Sequence, residues 1–347
     1  MYIKKILFAI AIIGIIIAAF FANYVYSAMF KPNTKFNNER AYIYIPTNAT
    51  YQDIREQLLP LLEDIDKFDA LAERKQYTSN IKAGKYAIKK DMSNNDIINS
   101  IRINNMSIMV SFNNQETLED LAGRIAVQIE ADSTSLINTF NSKAFFFKST
   151  FDKKVALSMY IPNSYEFKWN TSSEQFRDRM LTEYDRFWND NRNAKAKAIN
   201  LSHNEVMTLA SIVQKETAKV DERPRVAGVY VNRLKVRMPL QADPTVIYAI
   251  KEKSGDFKQI IKRVLYKDLE LDSPYNTYKY AGLPPGPIAM PDISSIDAVL
   301  NYEKHDYFYF VANVKNFGYH KFAKSLAQHN RNRQEYIRWI NQQGVNR

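Results

Sequence analysis

The sequence predicts an α+β protein with an N-terminal transmembrane helix, a small α+β module and a mostly helical C-terminal domain with a few short strands. Three observations support this fold class. A long uncharged run opens the chain, capped helices alternate with short strands up to about residue 130, and apolar residues recur at helical spacing after residue 200. The 347 residues, 46% of them hydrophobic and 24% charged, suit a globular protein of about two domains beyond a membrane segment.

The first thirty residues predict a membrane anchor. A pair of lysines is followed by 25 uncharged residues before Lys31. At about 1.5 Å per residue, a helix of this length crosses a hydrocarbon layer of roughly 30 Å. The lysine pair predicts residues 1–5 as a cytoplasmic N-terminus, residues 6–28 as the transmembrane helix, and an exported remainder. The alternative is a cleaved signal peptide, with Val25-Tyr26-Ser27 as a poor cleavage site.

The next segment predicts a linker and a small module. Residues 31–40 are polar and contain a proline, which is typical of a linker. Residues 41–105 predict the module, in which a strand and a helix occur twice. Its predicted elements are a strand at 41–46, a helix capped by Asn48 or Thr50 and continuing to Leu62, a strand at 83–88 and a helix from Ser93 to Ile101.

Residues 106–200 predict a connecting α+β region. A strand and a helix are expected between Ser107 and Ile129. The chain from Ser133 onward is helical in pattern and rich in aromatic residues, with an interruption at residues 160–165. The remainder, residues 201–347, is the predicted C-terminal domain.

The helix that opens this domain carries a candidate catalytic carboxyl. Ser202 and Glu205 have the spacing of a capping box. Val206, Leu209, Ile212, Val213 and Val220 form one apolar stripe, and Glu216 falls on the same face. Burial there would raise the pKa of the carboxyl, as a general acid requires. The alternative is that Glu216 lies at the rim and pairs with Arg223, Arg225 or Arg233.

Further signals follow in the same domain. Pro224 and Pro244 each stand at the predicted first turn of a helix. A Pro- and Gly-containing stretch at residues 275–287 predicts a rigid loop rich in aromatic and amide side chains. Such side chains suit a groove that holds a sugar chain, although a well-packed turn has the same composition.

Four blocks in this order resemble the endolytic murein transglycosylases, the MltG/YceG-like family. They are LASIVQKET at residues 209–217, ERP to NRL at 222–234, LQADPTVIY at 240–248, and YNTY to the glycine of PPG at 275–286. The resemblance covers nearly the whole chain, and it implies an N-terminal anchor, a LysM-like module and a C-terminal catalytic domain. That domain would end in a strand at 307–311, a histidine at 320 and a helix at 325–340.

The resemblance implies a reaction as well as a fold. Members cleave the β-1,4 bond between N-acetylmuramic acid and N-acetylglucosamine within glycan strands and leave 1,6-anhydromuramyl ends. Glu216 would then be the one catalytic carboxyl, acting first as acid and then as base, and no cofactor is implied. The implied substrate-binding residues are Arg233, Gln241, Asp243, Thr245, Tyr275, Asn276, Tyr278 and His320. The implied setting is the inner (cell) membrane, with peptidoglycan strands as substrate and peptidoglycan synthases as partners.

The sequence departs from the family pattern at several positions. Gln214 stands where a second glutamate is common, Met290-Pro291-Asp292 replaces Asn-Pro-Gly, and Arg237 replaces a glycine. Glu222 is a possible second carboxylate, although beside Arg223 and Arg225 an ion-paired helix start is the favoured interpretation.

Other functions are disfavoured by composition and motif. The chain has no cysteine, and its four histidines lack metal-ligand spacing, so no metal site is expected. The net charge of +11 would suit nucleic acid, but the lysines are scattered among acids and no basic run reaches five residues, so no nucleic-acid partner is expected. The serious alternative is a noncatalytic, membrane-anchored scaffold that binds peptidoglycan.

Overall fold

The computed structural model describes residues 2–149 and 151–342, which form a mixed helix and strand protein as the sequence predicts. Met1, in the predicted cytoplasmic N-terminus, lies outside the described residues. Residues 343–347, in the predicted C-terminal domain, lie outside them as well. The chain divides into two compact units. Unit 1 comprises the residues up to Val110 together with Gln128–Ala131 and Tyr165–Ser172, and unit 2 comprises the rest.

Helices predominate, and the strands are short. The helices are α1 (Tyr2–Phe30), α2 (Tyr51–Leu58), α3 (Ile65–Arg74), α4 (Asn94–Ile103), α5 (Leu118–Ala126), α6 (Ser133–Phe140), α7 (Lys143–Lys148), α8 (Ser173–Phe187), α9 (Asp190–Ala198), α10 (His203–Glu216), α11 (Arg223–Lys235), α12 (Asp243–Ser254), α13 (Ile293–Leu300) and α14 (Leu326–Gln342). The strands are β1 (Arg40–Ile45), β2 (Gly84–Lys89), β3 (Ser107–Phe112), β4 (Asn163–Lys168), β5 (Tyr309–Ala312) and β6 (His320–Ala323). They form three two-stranded sheets, β1 with β2, β3 with β4 and β5 with β6.

Helix α1 is the one helix among the described residues that is long and apolar enough to cross a membrane. Its side chains are exposed up to Tyr24, and Ala28 near its end is buried. The Asn94 amide donates to the Ala28 carbonyl at 2.8 Å, and Asn33 donates to Asn94 at 2.6 Å. These hydrogen bonds tie the end of α1 to the start of α4.

Unit 1 is built on the antiparallel pair β1 and β2, in which Ile43 lies opposite Tyr86. Thr50 and Ser93 cap α2 and α4, as predicted, and each forms a capping box. The prediction that the helix after Thr50 continues to Leu62 was wrong. It ends at Leu58 because Pro60 has no N–H with which to continue the hydrogen-bond ladder, and α3 follows as an additional helix.

Unit 2 contains the predicted catalytic helix. The capping box of Ser202 starts α10, and Val206, Leu209, Ile212 and Val213 are fully buried. The placement of Val220 on the same stripe was wrong. Helix α10 ends at Glu216 and Thr217 is extended, so Val220 lies in the following turn and is 56% exposed.

Helices α11, α12 and α14 and strand β5 form where the sequence predicts them, whereas β4, in a region predicted as helical, and β6, which begins at His320, were not predicted. Helix α11 begins at Arg223 with Pro224 in its first turn, and α12 begins at Asp243 with Pro244 in the same position. Strand β5 pairs antiparallel with β6, which places Ala312 opposite His320.

Candidate active site

Glu216 lies at the C-terminal end of α10 and is half-buried. Hydrogen bonds hold the helix at its start and in its middle. Ser202 caps its start, and the Ser211 hydroxyl in its middle accepts a hydrogen bond from the Ile288 amide at 3.0 Å. Thr217 leaves the helical conformation, so the Glu216 carboxyl projects from the last turn of a well-anchored helix.

Tyr230 on α11 is the hydrogen-bond partner of Glu216. Its hydroxyl donates to Glu216 Oε1 at 2.6 Å, and its ring is 1% exposed. Burial, together with the negative charge of Asp243, raises the pKa of Glu216 to about 7. The Tyr230 hydrogen bond and the positive charges of His320 and Arg233 act in the opposite direction. Glu216 therefore titrates near neutral pH, where a carboxyl can both give and take a proton.

Among the described residues, no arginine forms an ion pair with Glu216. The alternative interpretation from the sequence was that Glu216 pairs with Arg223, Arg225 or Arg233. Arg223 instead binds Asp292 at 2.8 Å, and Arg225 binds Glu303 at 2.9 Å. Arg233 is 7% exposed, and its guanidinium donates to the carbonyls of Phe308 at 2.7 Å and Leu240 at 2.5 Å.

Glu216 opens into a cavity of about 600 Å³. This lies within the range of roughly 300–1,000 Å³ typical of ligand sites. Its lining is drawn from α10, α11, the start of α12, residues 263–269, Tyr278, β5 and α14. The lining residues are Glu216, Tyr230, Arg233, Gln241, Asp243, Arg263, Val264, Leu265, Tyr266, Leu269, Tyr278, Tyr309, Phe310, Leu326, His329, Asn330 and Arg333.

Four of the predicted substrate-binding residues line this cavity together with Glu216. They are Arg233, Gln241, Asp243 and Tyr278. The Tyr278 hydroxyl donates to Asp243 Oδ1 at 2.5 Å. Gln241 has a left-handed backbone with φ 50°, and its backbone N–H donates to the Thr277 carbonyl at 3.1 Å. The turn that presents Gln241 and Asp243 is therefore fixed to the loop that carries Tyr278.

Three predicted binding residues are buried behind the cavity wall and do not line it. Thr245 is fully buried, and its hydroxyl lies 2.8 Å from that of Thr277. The Asn276 amide donates to the carbonyls of Leu269 and Leu271, each at 2.8 Å. Tyr275 packs on Tyr248, with ring centroids 4.5 Å apart. These residues fix the shape of the loops around the cavity.

His320, the eighth predicted binding residue, also lies outside the lining and binds Glu222. Its Nδ1 is 2.8 Å from Glu222 Oε2, its amide donates to Glu222 Oε1 at 2.7 Å, and the Thr217 hydroxyl donates to Oε2 at 3.1 Å. Burial acts to raise the pKa of Glu222, but the hydrogen bonds from His320 and Thr217 hold that pKa below its usual value. Glu222 does precede α11 as expected, but its partner is a histidine and not Arg223 or Arg225.

Gln214, where the family commonly has a second glutamate, is directed to a loop. Its Oε1 accepts from the Asp292 amide at 2.5 Å and from the Ser295 hydroxyl at 3.2 Å. Its Nε2 donates to the Met290 carbonyl at 3.3 Å. The side chain therefore holds the segment that departs from the Asn-Pro-Gly pattern.

Sequence reasoning missed two parts of the lining. One is the segment from Arg263 to Tyr266, which has no clear periodicity. The other is the group formed by Tyr309 on β5 and by His329 and Arg333 on α14. These last two are four residues apart, a spacing that places them on one helix face and could have marked them. Among the described residues, no cluster of three or more His, Asp or Glu side chains is arranged to hold a metal ion.

The chain is similar to a known protein family, to named relatives and to a solved structure. The sequence model of the YceG-like family matches residues 43–335. An endolytic murein transglycosylase of Bacillus subtilis strain 168 is 34% identical over 276 residues, which cover 75% of this chain and 74% of that protein. The protein of the same name from Streptococcus pneumoniae serotype 2 is 30% identical over 332 residues, or 86% of this chain, which spans 59% of the pneumococcal protein. A crystal structure of a putative YceG-like protein from Listeria monocytogenes is similar with a TM-score of 0.57 and 29% identity, covering 85% of this chain and 99% of that one.

Proposed function

The chain belongs to the YceG-like family, and from this premise we propose that it is an endolytic murein transglycosylase with Glu216 as its general acid and base. Two relatives at 30–34% identity carry that name. The observation that carries the assignment to Glu216 is its place in a cavity with a pKa raised to about 7. The reaction is lytic cleavage of the β-1,4 bond between N-acetylmuramic acid and N-acetylglucosamine.

The proton inventory of this reaction needs one carboxyl. Protonated Glu216 gives its proton to the bridging oxygen as the bond from muramyl C1 to that oxygen breaks. The resulting carboxylate takes the proton of the muramyl 6-hydroxyl, whose oxygen then bonds to C1 and closes the 1,6-anhydro ring. Glu216 ends protonated, and no water is consumed. A carboxyl with a pKa near the working pH is suited to both steps.

Other residues of the cavity support this cycle. The Asp243 carboxylate favours protonated Glu216 and stabilises the positive charge that develops at C1. The Tyr230 hydroxyl orients the Glu216 carboxyl for both proton transfers. Tyr278 and Gln241 supply hydrogen-bonding groups to the sugar from the cavity wall.

The test is mass spectrometry of glycan products made by the full chain in detergent, wild type beside Glu216→Gln. Products lighter by one water than hydrolysis products, made by wild type alone, are expected. The matched control is Glu119→Gln, which makes the same change at an exposed residue of α5 and keeps activity. Reducing-end products would indicate a hydrolase in which Asp243 activates water. Unchanged activity in Glu216→Gln would refute the role of Glu216, and binding without products from wild type would favour the peptidoglycan-binding scaffold.

The N-terminal helix is the proposed membrane anchor, with the N-terminus in the cytoplasm and the rest of the chain outside. The 29 residues of α1 support a single crossing. Lys4 and Lys5 at its start support this orientation. Protease digestion of intact spheroplasts tests it, since exported residues beyond 31 would be degraded and a cytoplasmic N-terminal tag would be protected.

Residues 41–105 are the proposed LysM-like peptidoglycan-binding module. Their first four elements, in the order strand, helix, helix and strand with β1 antiparallel to β2, support this assignment, and α4 follows them. Residues 106–200 are the proposed connecting region and residues 201–347 the proposed catalytic domain. Peptidoglycan synthases are proposed partners on the strength of the family resemblance alone.

A further inference from the structure

Two of the three arginines that line the Glu216 cavity have neither an acidic partner nor a side-chain hydrogen bond among the described residues, whereas the third, Arg233, donates to backbone carbonyls. Arg263 lies in the segment before the 3₁₀ turn at Tyr266–Glu270, and Arg333 lies on α14. Neither forms an ion pair within 4.0 Å in the described part of the chain. Other arginines of unit 2 do pair with acids: Arg192 with Asp297, Arg223 with Asp292, and Arg225 with Glu303. The two cavity arginines therefore keep their hydrogen-bonding capacity for a ligand.

A histidine and a tyrosine also line this cavity. The His329 ring stacks on Tyr309 with centroids 5.2 Å apart, and the Arg233 guanidinium lies 5.4 Å from the centre of the same tyrosine ring. The buried Nδ1 of His329 has no hydrogen-bond partner among the described residues. Burial and the charges of Arg233 and Arg333 lower the pKa of His329. The histidine is therefore neutral at pH 7, and the charges next to it are those of the Arg233 and Arg333 guanidiniums.

The same cavity carries acidic groups on other elements. Glu216 ends α10, and Asp243 begins α12 and accepts the Tyr278 hydrogen bond. Neither carboxyl forms an ion pair with an arginine within 4.0 Å in the described residues. One cavity thus presents carboxyl groups from two elements and unpaired guanidiniums from two others. A ligand suited to both would have an uncharged part beside Glu216 and an anionic part beside the arginines.

A peptidoglycan strand has this distribution of charge. Its sugars carry hydroxyl and acetamido groups, which are uncharged, and the lactyl group of each muramyl residue carries a peptide stem with free carboxylates. Resting on the proposed function, we propose that Arg263 and Arg333 form a subsite that binds carboxylates of this peptide stem. A guanidinium pairs with a carboxylate through two parallel hydrogen bonds, so arginines suit this role better than lysines. The subsite makes the enzyme selective for muramyl residues that still carry their stems.

The test compares two substrates and two pairs of substitutions. The full chain in detergent is given uncrosslinked glycan strands with their stems, and the same strands after an amidase has removed the stems. Wild type is expected to show a higher kcat/KM on the strands with stems. In the Arg263→Gln and Arg333→Gln double variant, the ratio of the two kcat/KM values is expected to fall about tenfold, which corresponds to about 1.4 kcal/mol shared between two exposed ion pairs. The wild-type ratio is expected to fall as well at about 1 M salt, where the Debye length is roughly 3 Å.

The matched control removes two charges from the same segments outside the cavity. Lys262 adjoins Arg263, and Arg331 lies on the same helix as Arg333; both are exposed and neither lines the cavity. The Lys262→Gln and Arg331→Gln double variant is expected to keep the wild-type ratio. A wild-type ratio of one, or an equal fall in the control variant, overturns the proposal while the proposed function stands.

A different result would bear on the proposed function itself. If wild type cuts neither substrate, the proposed function fails, and equilibrium binding decides the subsite. Wild type should then bind glycan fragments with stems more tightly than fragments without them, and the Arg263→Gln and Arg333→Gln double variant should lose this difference. Equal binding of both fragments by wild type would overturn the proposal.

Discussion

The hydrogen bond from Tyr230 to Glu216 gives the sharpest test of how this carboxyl is tuned. Tyr230→Phe removes a donor that lies 2.6 Å from Oε1 and favours the ionised carboxylate. Hydrogen bonds to charged groups contribute about 1.5–3 kcal/mol, and one pKa unit corresponds to about 1.4 kcal/mol. Glu216 is half-buried, so water replaces part of the lost bond. We therefore expect the pKa of Glu216 to rise from about 7 by about one unit.

The assay measures kcat/KM for the cleavage of glycan strands as a function of pH. In the proposed reaction protonated Glu216 is the active form in the first step, so activity should decline as pH rises through its pKa. In Tyr230→Phe this decline should move to higher pH by about one unit. Tyr86→Phe is the matched control, since it removes a hydroxyl from another buried tyrosine, in unit 1, that donates to the Lys82 carbonyl at 3.0 Å. A profile that stays in place or moves to lower pH in Tyr230→Phe would refute the assignment.

Three further predictions concern charge and packing in unit 2. Asp243→Asn removes a negative charge that raises the pKa of the catalytic carboxyl, so the decline of kcat/KM should move to lower pH, measured by the same profile. Glu222→Gln should lower the free energy of unfolding by about 1.5–3 kcal/mol near pH 7. Because the folded pKa of Glu222 is depressed, this difference is present above the unfolded pKa and should vanish as pH falls through the folded pKa. Urea titrations at several pH values measure it. Gly228→Ala would place a methyl group against the Glu303 carbonyl and should lower the melting temperature, whereas Gly123→Ala, with open space around it in α5, should leave it unchanged or raise it.

Local sequence signals predicted most element starts because the caps are local. Thr50, Ser93 and Ser202 each accept a hydrogen bond from an amide three residues on, and this geometry depends on neighbours in the chain alone. Helix α3 was missed although Asp64 caps it and Phe68 is fully buried in its stripe. The apolar pattern runs from one helix into the next, and Pro60 was the residue that should have separated them.

The candidate site was predictable only where its residues share a sequence block. Glu216, Asp243 and Tyr278 lie in the blocks that carry the family resemblance, and all three line the cavity. Tyr230 lies four residues after Val226 on one helix face and its ring is buried, but only the folded chain brings the hydroxyl to Glu216. A tyrosine at a buried helical position often has a hydrogen-bond partner, and periodicity cannot identify it. Arg333 lies about a hundred residues further along the chain and likewise reaches the cavity only in the folded protein.

The position of Glu216 at the end of α10 suits one carboxyl to both steps of the proposed reaction. The C-terminal end of a helix carries a partial negative charge, which favours the protonated carboxyl. Burial and the Asp243 carboxylate act in the same direction, while the Tyr230 hydroxyl and the charges of His320 and Arg233 favour the ionised form. A carboxyl with only the first set of neighbours would hold its proton too tightly to give it up, and one with only the second would be ionised before the reaction began. The two sets together keep the pKa near 7, so that giving the proton to the bridging oxygen and regaining it from the 6-hydroxyl are both accessible.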